Sequence, residues 1–529
     1  MKKTKVYLTT PAYYPSANPH IGNAYCTVLV DVLARYFRLA GYDTYFITGT
    51  DEHGAKIAKN AKNAGKTPIE FVDEIVAKFK NLWSVLNIQY DDFIRTTEQR
   101  HVNLVRSIFS DYIRTKNVSL GNYEGSYCVF CESFWSDSQI GTEKLCPDCG
   151  RPVAVEKEEV YFFNTKKYVP YILELFNQPS FLLPEHRKNE MLNSFIRPGL
   201  EDLSVTRTTL DWGVSINEDD KHVVYVWLDA LINYLSVLNY RGQDDTLFRK
   251  YWAAEDSRII HIVGADINRF HSIYWPMFLK GIDLRAPDEV FVHGLIMTKD
   301  GKMSKSKGNV INPIPLADKY SADALRFYLV REMRFGDNGQ FTPEQFTESI
   351  NRDLVNNFGN LLNRSLTMIG KYCGGVVPNI GRCTDEIDRV LHADINEYFS
   401  KYNQYFEDLK PTEALVLTFE LIDKGNKYIE EKQPWVLFKD AKNKRAVEKT
   451  MANLAYILYV SANMLAPFIP SKAESALLQL GLSNATPTFK SIGNKTVLEG
   501  IEVKKGEVLF PRLDVKVESD YIRDLMEGK

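Results

Sequence analysis

An α/β architecture is what this sequence predicts: a parallel-sheet domain carrying a cysteine-rich insertion, followed by an all-α domain. Three observations predict it. Strand-like and helix-like stretches alternate near the start, two Cys-x-x-Cys pairs fall in a run of short strand patterns, and a helical period governs the last third of the chain.

Residues 6–10 are β-branched and aromatic, and a turn rich in Pro, Asn and Ser separates them from 21–39, where apolar residues recur at helical spacing up to Gly41. Strand, loop and helix open a βαβ unit, and 44–48 read as the next strand, ending on Gly49-Thr50-Asp51-Glu52-His53. Polar side chains at the carboxyl end of such a strand sit where open α/β sheets bind ligands. Between about 116 and 216 the pattern breaks into short strands around the cysteines, and it returns at 227–234 and 259–264. The expected division is a Rossmann-like sheet domain in two halves, 1–115 and 217–341, an insertion at 116–216, and a helical domain over 342–529. In the last of these, Leu354, Val355, Phe358, Leu361 and Leu362 form one apolar stripe, and long helices are expected over 385–407, 411–431 and 442–465. A short strand-like tail is expected from about Phe489.

Composition narrows the function classes. A chain of 529 residues exceeds a single core, so several domains are expected. Its net charge of −3, from 65 basic and 68 acidic residues, gives no general polyanion-binding surface, so a nucleic-acid partner has to be read from local patches. No run approaches the roughly 20 apolar residues of a membrane span. Met1-Lys2-Lys3-Thr4-Lys5 leads into a strand rather than a signal peptide, so a cytoplasmic protein with no membrane partner is expected.

Two segments carry phosphate chemistry. His20-Ile21-Gly22-Asn23 lies where the first strand gives way to the first helix. Backbone N–H groups and the positive helix end suit a phosphate there. His20 can donate to a phosphate oxygen, Gly22 lets a nucleotide approach, and Asn23 offers an uncharged donor. Far along the chain, Lys302-Met303-Ser304-Lys305-Ser306-Lys307-Gly308 follows the turn signal Asp300-Gly301. Flexible ammonium groups on such a loop can follow charge that develops on a pyrophosphate leaving group. Gly49-x-x-x-x-Gly54-Ala55-Lys56 is not a P-loop, because Lys and then Ser or Thr should follow the second Gly directly.

Cys128-x-x-Cys131 and Cys146-x-x-Cys149 are separated by 14 residues, a spacing that lets four thiolates close a tetrahedral zinc shell. A closed shell leaves no position for water, so one structural Zn2+ per chain is expected. Cys26, Cys373 and Cys383 are expected as unpaired small hydrophobes.

Together with Thr9-Thr10-Pro11-Ala12-Tyr13-Tyr14, Thr48-Gly49-Thr50-Asp51-Glu52-His53-Gly54, Tyr225-Val226-Trp227-Leu228-Asp229-Ala230 and Gln433-Pro434-Trp435, the two motifs resemble the signatures of class I aminoacyl-tRNA synthetases. Nearly the whole chain is similar to the methionyl-tRNA synthetase family. One departure stands out: the family's first motif usually ends in His, and this chain has Asn23. Only His can carry charge, so the pH dependence of activation is the property it touches first.

The resemblance implies activation of methionine by ATP, with Mg2+, to methionyl-adenylate, and transfer to the terminal adenosine of tRNA(Met), initiator and elongator. It implies His20, Asn23, Lys302 and Lys305 at the transition state, with Gly22, Gly264, Asp266 and Ser304 also on ATP. Asp51 would hold the α-ammonium, and Ala12, Tyr14, Trp227, Ala230, Leu231, Tyr234, Ile267, His271 and Trp275 the methionine side chain. Spacing agrees in part. Trp227, Ala230, Leu231 and Tyr234 share one helical face, as do Ile267, His271 and Trp275, and a thioether favours aromatic faces plus one weak donor. Asn360, Arg364 and Trp435 match anticodon-reading positions. Some family members carry an additional C-terminal dimerising domain; only some 40 residues remain here after Phe489, so a monomer is expected.

Two enzymatic alternatives are another class I synthetase, which the short insertion and aromatic pocket oppose, and a nucleotidyltransferase, which needs no long helical domain. A non-catalytic RNA-binding descendant is a third, opposed by the retention of His20, Lys302 and Lys305.

Overall fold

The computed structural model describes residues 3–128, 133–135, 140, 142–147, 149–298, 301–302, 310–333, 336–381, 385–483 and 486–527. Cys131, Ser304, Lys305, Cys383 and the side chain of Lys302 lie outside the described residues. The chain forms two compact units. The first comprises Met1–Pro19, Asp43–Ser84 and Ile88–Gly294, the second His20–Tyr42, Val85–Asn87 and Leu295–Lys529. These units cut the chain differently from the four sequence segments, because the first helix groups with the helical half.

In the first unit the strands that matter run, in chain order, β1 (Lys5–Tyr13), β2 (Asp43–Thr50), β3 (Asp92–Arg95), β4 (Val118–Cys128), β5 (Ser133–Trp135), β6 (Ala154–Phe163), β7 (Leu182–Leu183), β8 (Leu203–Ser204), β9 (Ser257–Gly264) and β10 (Glu289–His293). Six of them form one all-parallel sheet in the order β3-β2-β1-β9-β10-β7. The order reverses between β1 and β9, and such a switch point opens a crevice beyond the strand ends. Val6, Tyr7 and Leu8 are fully buried, the continuous apolar reading of a strand covered on both faces. The insertion is a separate antiparallel sheet, β5-β4-β6-β8.

From β1 the chain passes to helix α1 (Ile21–Leu39) in the second unit and returns at β2. Back in the first unit, α2 (Gln99–Arg114) and α3 (Val226–Ser236) pack against each other, and α3 also packs on β1 and β3. Ahead of α4 (Trp275–Gly281) the chain does not hold one α-helix through 267–275. It takes a π-helical stretch, Phe270–Tyr274, where Pro276 supplies no N–H for the preceding turn.

The second unit is helical. Here α1 packs on α5 (Ala322–Arg331) and on α8, and the long helices α6 (Asn360–Cys373), α7 (Glu386–Glu407) and α8 (Pro411–Lys432) are followed by a single turn, α9 (Pro434–Leu437), and α10 (Lys444–Leu465). The predicted apolar stripe is in the core, with Leu354, Phe358 and Leu361 fully buried. The tail departs from expectation: among the described residues from Phe489 on the only β pairing is an isolated bridge, Glu502 to Val376, and α11 (Val515–Glu527) packs on the helix Pro343–Ser349, burying Ser519 and Ile522. Those two sit at i and i+3, a period too brief to stand out in a polar segment.

Candidate active site

His20 caps α1. Its Nδ1 accepts from the Gly22 N–H at 3.1 Å, and the Asn23 side-chain oxygen accepts from the His20 N–H at 3.0 Å, a reciprocal capping box. An Nδ1 that accepts places the imidazole proton on Nε2, so His20 is a neutral donor held in one tautomer. With its oxygen committed to the cap, Asn23 has its NH2 as the donor end. The helix carries no acidic residue in its first turn. A carboxylate there would compete with phosphate for the same N–H groups.

In the first unit, Trp227, Ala230, Leu231 and Tyr234 fall on one face of α3 as the spacing predicts. The Tyr234 hydroxyl and His271 Nε2 are 2.8 Å apart, and His271 Nδ1 lies 3.0 Å from the Ile267 carbonyl. The carbonyl can only accept, so His271 carries its proton on Nδ1 and accepts a hydrogen bond from the phenol on Nε2. His271 therefore orients the hydroxyl instead of supplying a donor itself. Burial pushes its pKa down to about 4, against the Ile267 carbonyl and Asp266. Behind it, Trp275 Nε1 donates to His261 Nε2 at 3.2 Å, and His261 Nδ1 lies 2.8 Å from the Thr9 hydroxyl on β1. Burial, then His271, holds His261 well below the usual histidine range. The side of Tyr234 is thus buttressed by two neutral imidazoles.

At the end of β2 the Asp51 N–H donates to the Tyr13 carbonyl at 2.9 Å, and the side chain is 7% exposed. Ala12 pairs with Gly49 past an irregularity in β1. A Cβ on Gly49 would meet the Ile94 carbonyl oxygen at 2.1 Å, so only glycine lets β2 and β3 approach. The two residues after Asp51 are bolted down. Glu52 receives Thr50, Arg95 and Thr97 at 2.5–2.6 Å. His53 Nδ1 and His101 Nε2 lie 2.6 and 2.8 Å from the two oxygens of Asp229, which is fully buried on α3. Burial would raise the Asp229 pKa, but the two imidazoles outweigh it and hold it at about 2. One carboxylate thereby ties the Asp51 loop to the helix that carries Trp227 and Tyr234.

At the ends of the neighbouring strands β9 and β10, Gly264 pairs with His293. A Cβ on Gly264 would come within 2.7 Å of Asp266 Oδ1 and 3.6 Å of the His293 ring. This carboxylate is exposed while the glycine is buried, an open floor edged by an acceptor.

The sulfurs of Cys128, Cys146 and Cys149 lie within 4.8 Å of one another, Cys128 and Cys149 at 3.6 Å. A disulfide would need about 2.05 Å, whereas four sulfurs about 2.3 Å from a zinc ion stand about 3.8 Å apart. The Cys146 N–H donates to the Arg151 carbonyl and the Gly150 N–H to the Cys146 carbonyl, with Gly150 at φ +67°, so the second pair is a tight turn. Trp135 is buried against this cluster. The Arg269 guanidinium lies 4.3 Å from the Trp135 ring and 4.7 Å from the Phe270 ring, and Phe270 stacks on Trp227 at 3.8 Å and 5°. A layered stack thus runs from the cysteine cluster to α3.

In the second unit, Asn357 donates to Asp423, Asn360 to Asn426 and Arg364 to Glu430, all between α6 with its leading turn and α8. These groups, with Arg331, Arg352 and Lys427, line a polar cavity of about 580 Å³. Just past it Gln433 takes φ +42° and turns the chain into α9, whose Trp435 is 39% exposed.

Comparison with known proteins bears on these features. A family model described as tRNA synthetases class I (M) matches residues 6–158 and 150–366, and one described as the anticodon binding domain of methionyl tRNA ligase matches 377–525. A methionine–tRNA ligase of Bacillus subtilis is 46% identical over 99% of this chain and 80% of its own length, and methionine–tRNA ligase 1 of Bacillus cereus is 45% identical over the same shares. The chain belongs to the methionyl-tRNA synthetase family. Among solved structures, Mycobacterium tuberculosis methionyl-tRNA synthetase with methionyl-adenylate superposes at a TM-score of 0.91, with 36% identity over 97% of this chain and all of that one. The free form of that enzyme gives 0.85 at 33% identity, over 97% and 99%.

Of the family positions expected from sequence, Tyr234, Ile267, His271 and Trp275 are joined in one network; Leu231 and Trp275 are each 1% exposed and serve the core. Sequence reasoning named His53 at a strand end and Thr9 and Asp229 within signature segments but gave them no role, and it passed over His101, His261, His293 and the stack through Arg269. His53 and His293 had a signal, a polar residue at or just past the carboxyl end of a strand. Arg269 and His101 had none, because their partners are remote in sequence.

Proposed function

We infer that this chain condenses methionine with ATP to methionyl-adenylate and pyrophosphate, and passes the methionyl group to the 3'-terminal adenosine of tRNA(Met). The observation that carries this is the pairing, in one chain, of the His20 capping box with a polar-tipped aromatic helix face at Trp227 and Tyr234. The substrate carboxylate is the nucleophile, so the protein supplies alignment and charge stabilisation. His20 and Asn23 donate to phosphate oxygens, and Lys302, Ser304 and Lys305 follow the departing pyrophosphate with its Mg2+. Gly22 and Gly264 admit the adenosine, and Asp266 accepts from ribose hydroxyls. Asp51 holds the α-ammonium. Ala12, Tyr14, Trp227, Ala230, Leu231, Tyr234, Ile267, His271 and Trp275 receive or back the thioether side chain, with the phenol as the polar tip. Discrimination against apolar analogues rests on about 1–3 kcal/mol.

In this reading residues 1–115 and 217–341 do the chemistry and 116–216 carry the knuckle. Cys128, Cys131, Cys146 and Cys149 hold one structural zinc ion, and the thiols described fit it. Residues 342–529 bind tRNA, with Asn360, Arg364 and Trp435 reading the anticodon. The working form is taken as a monomer acting in the cytoplasm, to be checked by light scattering. Among the described residues no helix is long and apolar enough to cross a membrane.

Two assays test it. ATP–pyrophosphate exchange should respond to methionine and not to leucine, isoleucine, valine or cysteine. Exchange with another of these keeps the class and overturns the pocket; none at all favours an RNA-binding descendant. Trp435→Ala should cut aminoacylation at least tenfold while exchange persists, and equal loss of both would mean a folding role.

A further inference from the structure

The row of contacts between α6 and α8 keeps one register. Asn357 meets Asp423, Asn360 meets Asn426 and Arg364 meets Glu430, each pair 66 residues apart in sequence. The same offset reappears beyond the break at Gln433, where Tyr372 at the end of α6 faces Phe438 directly after α9. The rings are 4.5 Å apart and inclined at 36°. Phe438 is nevertheless 49% exposed, and Val436 beside it 47%. On one turn of helix Trp435 and Phe438, at i and i+3, lie on the same face. A half-exposed phenylalanine on a helix end that a smaller polar residue could cap equally well is a cost in water, about 25 cal/mol per Å².

The surrounding charge selects the occupant. Lys439, Lys442, Lys444 and Arg445 follow Phe438 within one short stretch, against the carboxylates of Asp440 and Glu448, and Lys371 adjoins Tyr372. Glu448 and Lys444 both act on the neighbouring Cys373, which places the start of α10 at this end of α6. Aromatic faces beside a run of cations suit an unpaired nucleotide, whose base stacks while its phosphate meets the lysines. An apolar protein segment would leave Lys439, Lys442 and Arg445 without an anion to meet, whereas Lys444 already faces Glu448 at 3.8 Å.

We propose that Phe438, braced by Tyr372, is a second nucleobase-stacking platform, which takes an unpaired nucleotide of the tRNA anticodon loop next to the base held at Trp435. This rests on the anticodon reading given above. The proposal adds a contact without sequence selectivity, because every base presents a π face. Discrimination stays with the amide and guanidinium row, and the platform holds the loop open in register with it.

The test uses the full chain and a fluorescent tRNA anticodon stem-loop bearing CAU, read by anisotropy, with 2-aminopurine placed in turn at the loop positions flanking the triplet. Phe438→Ala should weaken binding about 5- to 100-fold, and the quench at one flanking position should vanish. Phe438→Tyr should restore both to within about twofold. Phe438→Leu, which keeps apolar bulk and fold without a π face, should restore neither. Lys439→Ala with Lys442→Ala should lower the salt slope of log K by about 1.4, at roughly 0.7 per phosphate contact on a single strand. If Phe438→Leu binds like the parent, the residue packs and does not stack, and the platform is wrong. If Trp435→Ala weakens binding and Phe438→Ala does not, the platform fails while the anticodon reading stands. Unchanged binding in Trp435→Ala overturns the anticodon reading itself. Melting curves separate misfolding from lost contact, and a variant that melts early is replaced by Phe438→Leu, whose outcome decides alone.

Discussion

His271 shows how one residue's environment sets both the orientation of a buried hydroxyl and a pH response. Its ring is buried between the Ile267 carbonyl and the Tyr234 hydroxyl, and its pKa falls to about 4. In the unfolded chain the value returns to about 6.5, so between these limits the unfolded state binds the extra proton. Stability therefore rises with pH from about 4 to 6.5 and is lost as the solution is acidified. Between pH 7 and 5 this single group costs about 2 kcal/mol. His261, also buried neutral, tilts the curve the same way. Urea titrations should show this loss, and His271→Gln should flatten part of it. The methionine KM should stay level from pH 8 to 5 as far as His271 governs it, since the ring remains neutral there. A KM that climbs through pH 6.5 would mean the imidazole titrates as if exposed.

At the scale of elements, the stack behind the knuckle connects the cysteine cluster to the α3 face. Trp135 touches both the cysteine cluster and Arg269, and Arg269 lies against Phe270, which covers Trp227. Between groups this buried, each cation–π contact contributes up to about 2 kcal/mol, enough to set a rotamer and too little to hold the fold. Cys146→Ser should drop bound zinc from about one per chain towards zero by elemental analysis, shift the Trp fluorescence, and raise the methionine KM several-fold more than it lowers kcat. Arg269→Leu should reproduce the KM effect with zinc retained. If it changes neither KM nor fluorescence, the stack is packing alone. This coupling was illegible in the sequence for a plain reason. Spacing reveals partners on one helix or one turn, so Cys146 and Cys149, and Trp227 with Tyr234, could be read. The 267–275 face was read as one α-helix and proved to include a π-helical stretch, and Trp135, Arg269 and His101 meet their partners only through tertiary packing.

For the whole molecule, the chain crosses between its two units at the His20-Ile21-Gly22-Asn23 motif itself: β1 ends in one unit, and His20 begins α1 in the other. The motif was legible because a cap leaves a local signature, whereas nothing local shows what anchors the helix behind it. That anchor is Arg326 on α5. It is fully buried, lies 2.7 Å from Asp31 of α1, and donates to the carbonyls of Phe468, Pro467 and Leu86 at 3.0, 2.9 and 3.2 Å. Asp31 also receives Arg35 at 2.7 Å. Removing one member of a buried pair leaves the other charge uncompensated, a loss of about 3–5 kcal/mol. Arg326→Met should show up to that loss in urea, lessened because Arg35 still pairs with Asp31, and Arg326→Met with Asp31→Leu should recover little of it, because Arg35 then loses its own carboxylate. The functional consequence should be selective. A loosened α1 carries His20 and Asn23 with it, so the ATP KM in the exchange assay should rise several-fold, while calorimetric binding of methionine alone stays within about twofold. Equal losses for both ligands would mean that Arg326 supports general folding and has no particular hold on the nucleotide motif.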